Sequence, residues 1–107
     1  RLTEREFLKQ HALKYSNGKI LEIGAWKGAS TLVLCETSNH VTSVDMWDSD
    51  DVYSEFCQNT INCTNLTAMR STSQSFFKES TDMFDLIFID GEHSREMFYH
   101  DLMLSLS

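Results

Sequence analysis

Proline is absent from these 107 residues, so turns and helix ends fall to Gly, Asn, Asp and Ser. No run approaches the ~20 apolar residues of a membrane-spanning helix, and no charged-then-apolar leader opens the chain. A soluble, cytoplasmic protein with no membrane partner is expected. Basic residues are few: nine Lys and Arg stand against sixteen Asp and Glu, for a net charge of -7. A sequence-independent grip on nucleic acid phosphates needs clustered Lys and Arg, so no nucleic acid partner is expected. A small neutral or cationic substrate is easier to accommodate. Cysteine is limited to Cys35, Cys57 and Cys63, odd in number and without C-x-x-C spacing, and these read as reduced, small apolar residues. Asn62-Cys63-Thr64 and Asn65-Leu66-Thr67 match the glycosylation pattern, read as chance matches in a chain without a secretory signal.

The length allows one domain, with a thin core. Arg1 is not a natural start and Ser107 falls inside an apolar helical pattern, so a piece of a longer protein is expected.

What is present is organised around Lys19 to Thr31, KILEIGAWKGAST. Ile20, Leu21 and Ile23 suit a strand buried on both faces. Gly24 and Gly28 allow a tight turn where backbone can approach a ligand without Cβ interference. Ser30 and Thr31 are N-cap candidates for the helix running on to Thr37, whose amide donors would point back at the turn. A strand, a glycine turn and a helix N-terminus describe a nucleotide-type site. A dinucleotide fingerprint needs G-x-G-x-x-G and a P-loop G-x-x-x-x-G-K-[ST]. Gly24 and Gly28, separated by Ala25, Trp26 and Lys27, fit neither, so pyrophosphate binding is disfavoured.

The remaining chain alternates helix and strand. Thr3-Glu4-Arg5-Glu6 opens a helix reaching Tyr15 with a capping-box arrangement, and Asn17-Gly18 ends it. His40 to Met46 reads as a strand from its β-branched content. Ser49, Asp50 and Asp51 cap a helix through Cys63, Asn65 to Ser71 is a weak third strand, and Phe84 to Asp90, FDLIFID, is an uninterrupted central strand. Phe98, Leu102 and Leu106 at i, i+4, i+8 predict a final helix over Ser94 to Ser107. The fold expected is α/β: a Rossmann-like, doubly wound parallel sheet with helices on both faces, truncated before its last strands. Ligands in such sheets lie beyond the carboxyl ends of the strands, where Gly24 to Ser30, Asp45 to Trp47, Ser71 to Gln74 and Asp90 to His93 converge.

Asp45 closes the second strand about twenty residues after the glycine turn, where an acid accepts hydrogen bonds from ribose hydroxyls; a surface Asp capping a loop is the plainer alternative. Trp47 suits covering an adenine face or packing on the neighbouring helix equally. Asp90 and His93 at one strand end can bind a divalent metal or act as a general base on a hydroxyl. The plainer reading has Asp90 capping the last helix and His93 solvated.

Glu22-x-Gly24-x-x-x-Gly28 resembles motif I, E/D-x-G-x-x-x-G, of the class I S-adenosylmethionine-dependent methyltransferases. With Ser30-Thr31, Asp45, Phe56-x-x-Asn59, Ser73 and Phe88-Ile89-Asp90-Gly91-x-His93, continuing to Asp101-Leu102, the order is similar to the branch containing macrocin-type O-methyltransferases and cephalosporin hydroxylase relatives. The resemblance covers Lys19 to Leu102. It implies that Glu22, Gly24, Ala25 and Gly28 shape the pocket for the methionine part of S-adenosylmethionine, with Ser30 near its carboxylate. Asp45 would hold the ribose, Met46 or Trp47 would border the adenine, and Ser73 and Gln74 would lie near its edge. Asp90 would sit beside the sulfonium as base or as ligand to a divalent metal such as Mg, with His93 as the second catalytic candidate. Glu92 departs from the pattern, since Asp is common there. The function implied is methyl transfer to an oxygen or nitrogen of a small-molecule acceptor. A non-catalytic S-adenosylmethionine-binding module is the alternative, and a nicotinamide oxidoreductase is weakened by the glycine spacing. An exposed edge on a half-length sheet would invite pairing with a second copy as a homo-oligomer.

Overall fold

The computed structural model of the chain describes residues 3–90 and 96–100. Five strands form one sheet in the order β3-β2-β1-β4-β5. Strands β1 (Lys19–Ile23), β2 (His40–Asp45), β3 (Leu66–Arg70) and β4 (Leu86–Asp90) are parallel neighbours, and β5 (Glu96–His100) runs antiparallel to β4. The chain steps outward from β1 to β2 and β3, then returns to place β4 on the other side of β1. That reversal is the point at which open α/β sheets leave a crevice at the carboxyl ends of their strands.

The period of two sets the layers. Ile20, Val41, Leu86 and Phe88 join Leu8 and Ala12 of helix α1 (Glu4–Leu13) and Val33 and Leu34 of α2 (Ala29–Thr37) in one cluster. Leu21, Val44 and Ile87 meet Phe84 and Phe76 of α4 (Ser73–Glu79) on the opposite face. Helices therefore cover both faces, as Ile20, Leu21 and Ile23 of the first strand and the uninterrupted apolar run of the fourth predict. α3 (Asp50–Asn59) places Phe56 in a third cluster with Ala25 and Trp47 at the carboxyl end of the sheet.

Local signals account for most boundaries. Thr3 accepts a hydrogen bond from Glu6 N at 3.1 Å and caps α1, and Ser49 accepts from Val52 N at 3.2 Å and caps α3. Asn65 donates its amide to the carbonyls of Cys35 at 3.0 Å and Ser38 at 2.8 Å, tying the end of α2 to the start of β3. Three expectations change. α2 begins at Ala29 with Gly28 as its N-cap, because Ser30 and Thr31 spend their hydroxyls elsewhere. α4 was not anticipated; Thr72 caps it by accepting from Ser75 N at 3.0 Å. The helix expected over 94–107 is overturned at Glu96–His100, which adds a strand to the open side of β4 with Phe88 opposite Phe98. The β-propensity of Met97-Phe98-Tyr99 and an unpaired ladder edge outweigh the i, i+4, i+8 spacing. The rest of that expectation lies outside the described residues.

Cys35 packs part-buried against the cluster under α1 and α2. Burial, then the neighbouring Cys63 thiol, push its pKa well above the ordinary thiol range. The fold thus favours the neutral thiol, a contribution fully present below the unfolded thiol's pKa and lost as pH rises past it. Urea midpoints for the wild type are expected to fall more steeply between about pH 8 and about pH 10 than those of Cys35→Ala, across the range where a free thiol titrates. Parallel slopes for the two proteins would contradict this.

Candidate functional site

The glycine turn is built on backbone that residues with a Cβ rarely adopt. Gly24 (φ 89°), Trp26 (φ 49°) and Gly28 (φ 95°) all have left-handed φ values. Gly24 still donates to Val44 O at 2.9 Å, extending the ladder between β1 and β2, and Gly28 donates to Ala25 O at 2.9 Å to close the turn. A Cβ on Gly28 would lie 3.0 Å from Thr60 Cγ2 and 3.2 Å from Phe56 Cδ1. Glycine is therefore required there twice over, by φ and by the packing of α3. The Phe56-x-x-Asn59 pattern acquires a physical role, since Asn59 Nδ2 donates to Lys27 O at 2.9 Å while Phe56 lies beneath the turn.

Beneath the turn Glu22 has no exposure to solvent. Its Oε1 accepts from Ser43 Oγ of β2 at 2.8 Å and from Thr31 Oγ1, and its Oε2 accepts from Ser30 Oγ. Ser30 and Glu22 are thus partners of one another, and α2 reaches the turn with Gly28 offering no side-chain cap. The first-turn amides of a helix have no partner within it, so this end carries unclaimed donors and the positive end of the helix dipole toward the turn.

Asp45 faces the same turn from the end of β2. Its Oδ2 accepts from Trp26 N at 2.8 Å and its Oδ1 from Trp47 N at 2.8 Å. A carboxylate offers about four acceptor positions, so each oxygen retains capacity for another donor. Trp47, itself left-handed at φ 45°, is 1% exposed. Its indole donates to Trp26 O at 2.6 Å and packs against Phe56 and Tyr53, with ring centroids 4.6 Å and 4.9 Å away. Of the two readings left open for its ring, the packed one describes this geometry. Met46 beside it is 54% exposed.

The other expected residues are distributed as follows. Ala25 is buried under the turn with Trp47 and Phe56. Ser73 and Gln74 open α4 beyond the end of β3, at the same pole of the sheet as Asp45. Asp90 ends β4, paired opposite Glu96; its side chain and the whole of His93 lie outside the described residues. Among the described residues no group of three His, Cys, Asp or Glu side chains gathers as a metal site requires, so the expected metal draws no support from them. Two participants had no signal in the sequence. Trp26 is half-exposed (50%) over the turn with Lys27 Nζ 4.6 Å from its ring centroid, and Arg70 grips the segment after Asp45. Trp26 was a free position within the glycine spacing, and a lone Arg closing a weak strand belongs to no pattern.

The mainly parallel sheet, with a glycine turn, an uncapped helix end and a strand-end carboxylate at its reversal point, is a Rossmann-like α/β fold. A family model described as a methyltransferase domain matches residues 21–107, and the chain belongs to that family. No curated protein matches it in sequence. Among solved structures it is similar to a SAM-dependent methyltransferase from Agrobacterium tumefaciens, with 19% identity, TM-score 0.67, and coverage of 81% of this chain and 30% of that one. It is also similar to the O-methyltransferase TomG of Streptomyces achromogenes, solved in complex with SAM, with 14% identity, TM-score 0.69, and coverage of 85% and 45%. The N-methyltransferase NodS of Bradyrhizobium japonicum aligns with 25% identity, TM-score 0.62, and coverage of 78% and 45%. The chain thus spans less than half the length of each.

Glu22→Leu should leave the hydroxyls of Ser30, Thr31 and Ser43 without their acceptor and destabilise the fold by about 3 kcal/mol or more, since each orphaned buried group costs roughly 1–3 kcal/mol. Ser43→Ala should cost only about 1 kcal/mol, because Glu22 keeps two donors. Urea denaturation of the two variants checks the order, and equal losses would contradict it.

Proposed function

We propose that this domain binds S-adenosylmethionine at the carboxyl ends of β1 and β2 and serves transfer of its methyl group to an oxygen or nitrogen of a small-molecule acceptor. The observation that carries the reading is the aim of Asp45, whose Oδ2 accepts from Trp26 N in the glycine turn while its Oδ1 accepts from Trp47 N in its own loop, at 2.8 Å each. In a sheet wound this way a strand-end acid so placed suits the hydroxyls of a ribose. Membership of the methyltransferase-domain family supports it, as does the SAM held by the structurally similar TomG.

The cofactor, when bound, supplies an electrophilic methyl group on a sulfonium leaving group. What the chain supplies is position, a contribution that can be large in its own right. Asp45 accepts from the sugar hydroxyls with the capacity its two backbone bonds leave free. The uncapped start of α2 presents amides to the carboxylate of the methionine part. Glu22 acts one layer down, fixing α2 through Ser30 and Thr31. Met46, Ser73 and Gln74 border the base, while Trp47, buried among Phe56 and Tyr53, supports the loop from beneath. Asp90, at the end of the strand beside β1, is the proposed base or metal ligand at the acceptor, with His93 as its companion. The assignment to the macrocin-type branch rests on the run Phe88-Ile89-Asp90-Gly91-x-His93 together with Phe56-x-x-Asn59. A cytoplasmic setting accords with three unpaired cysteines, and no described helix is long and apolar enough to cross a membrane.

Isothermal titration with S-adenosylhomocysteine and with NAD tests the reading. Heat is expected with the first and none with the second. Asp45→Asn, which turns one acceptor into a donor facing an N–H, should weaken S-adenosylhomocysteine at least about tenfold, or ~1.4 kcal/mol. Binding of NAD in place of the sulfur nucleoside, or an affinity unchanged in Asp45→Asn, would overturn it.

A further inference from the structure

We propose that Arg70 is the positioning residue for Asp45: from the edge strand it clamps the segment that follows Asp45 and so keeps that carboxylate aimed into the glycine turn. This rests on the reading of Asp45 as the ribose-binding acid and adds to it the device that holds the acid in place.

Arg70 is the register neighbour of Asp45 across the β2–β3 ladder, and the ladder continues past both through Ser71 N to Asp45 O at 2.9 Å. From there its guanidinium reaches three groups of the next segment. Nε donates to Met46 O at 3.0 Å, one terminal nitrogen donates to Trp47 O at 2.8 Å, and the other lies 2.9 Å from Asp50 Oδ1. The guanidinium carbon sits 5.0 Å from the centroid of the Tyr53 ring, the same ring that packs on Trp47. A planar fork of donors fits two successive carbonyls and a carboxylate together, which an ammonium group does not.

The clamp has something to hold. Trp47 stands at φ 45°, a conformation unfavourable for a residue with a Cβ and maintained only when its surroundings over-determine it. Its N–H is given to Asp45 Oδ1 and its carbonyl to Arg70, so the two bonds fix the peptide groups on either side of the strained residue. Loss of the outer bond lets Trp47 relax, turns its N–H from Asp45, and frees the carboxylate to rotate out of the turn. Stability is not the main purpose. The Asp50 side chain is 91% exposed, and an ion pair so open to water contributes little; the two carbonyl bonds do the holding.

Amide exchange followed by NMR in the unliganded whole chain, with affinity for S-adenosylhomocysteine, tests this in wild type, Arg70→Lys, Arg70→Gln and Asp50→Asn. The Trp47 amide is expected to exchange about tenfold faster or more in both Arg70 variants, as local opening predicts, and to change less than about threefold in Asp50→Asn. S-adenosylhomocysteine affinity should fall about fivefold or more in Arg70→Lys, and the same substitution in the Asp45→Asn background should cost far less, the signature of action through Asp45. An unaltered Trp47 amide in Arg70→Lys, or losses from Arg70→Lys and Asp45→Asn that simply multiply, would overturn the proposal. A wild type that fails to bind S-adenosylhomocysteine while Trp47 exchange still accelerates in Arg70→Lys would uphold the clamp and overturn the ligand reading. Should Arg70→Gln fail to fold, Arg70→Lys and Asp50→Asn decide the outcome.

Discussion

A carboxylate sealed from water is costly unless hydrogen bonds replace its hydration, and this chain puts one in the first strand, beneath the glycine turn. Glu22 collects hydroxyls from Ser43 on the neighbouring strand and from Ser30 and Thr31 on the following helix. Ser43 lies directly across the β1–β2 ladder from it, and Phe88 lies across the β1–β4 ladder. A polar joint between three elements is thereby enclosed by apolar packing. The joint fixes where α2 begins. Because Ser30 and Thr31 face inward, the helix starts on a glycine with no side chain to cap it.

Strain is concentrated at the same pole. Every left-handed residue among the described ones (Gly24, Trp26, Gly28 and Trp47) belongs to the loops after β1 and β2, which fits the tendency of unfavourable backbone to gather at functional sites. Interlocking bonds retain it: Trp26 gives its N–H to Asp45 and receives the Trp47 indole on its carbonyl. At the opposite pole the chain closes in an ordinary way, with Asp85 accepting from Lys19 N at 2.8 Å. A shallow polar hollow there, lined by residues 14–18 and Asp85, has none of the convergence seen beyond the carboxyl ends.

Much of this was legible in the chain. KILEI and FDLIFID became adjacent central strands, Thr3 and Ser49 became caps, and Asp45 came to face the glycine turn, because each of these outcomes is dictated by short-range chemistry or by the fixed geometry of a parallel sheet. The exceptions depend on partners distant in sequence. Ser30 and Thr31 read as caps, yet their hydroxyls answer a buried acid eight and nine residues away. Trp47 read equally as cover or core, and the position of Phe56 and Tyr53 on α3 decided for core. The short α4 carries no apolar periodicity long enough to be seen, and at Glu96–His100 an open ladder edge claimed residues whose spacing favoured a helix. The glycine turn and the strand-end acid facing it were therefore readable, while the contacts of Trp26 and Arg70 with that acid and the segment after it were not.

The central question is whether a sulfur nucleoside binds against the glycine turn and Asp45. Backbone amide shifts of the isotope-labelled chain, followed through a titration with S-adenosylhomocysteine, locate it most directly. Shifts are expected to concentrate at Gly24 to Ser30, at Asp45 to Trp47 and at Ser71 to Gln74. Shifts gathered instead around Lys14 to Gly18 and Asp85, or none at saturating ligand, would contradict binding at that turn.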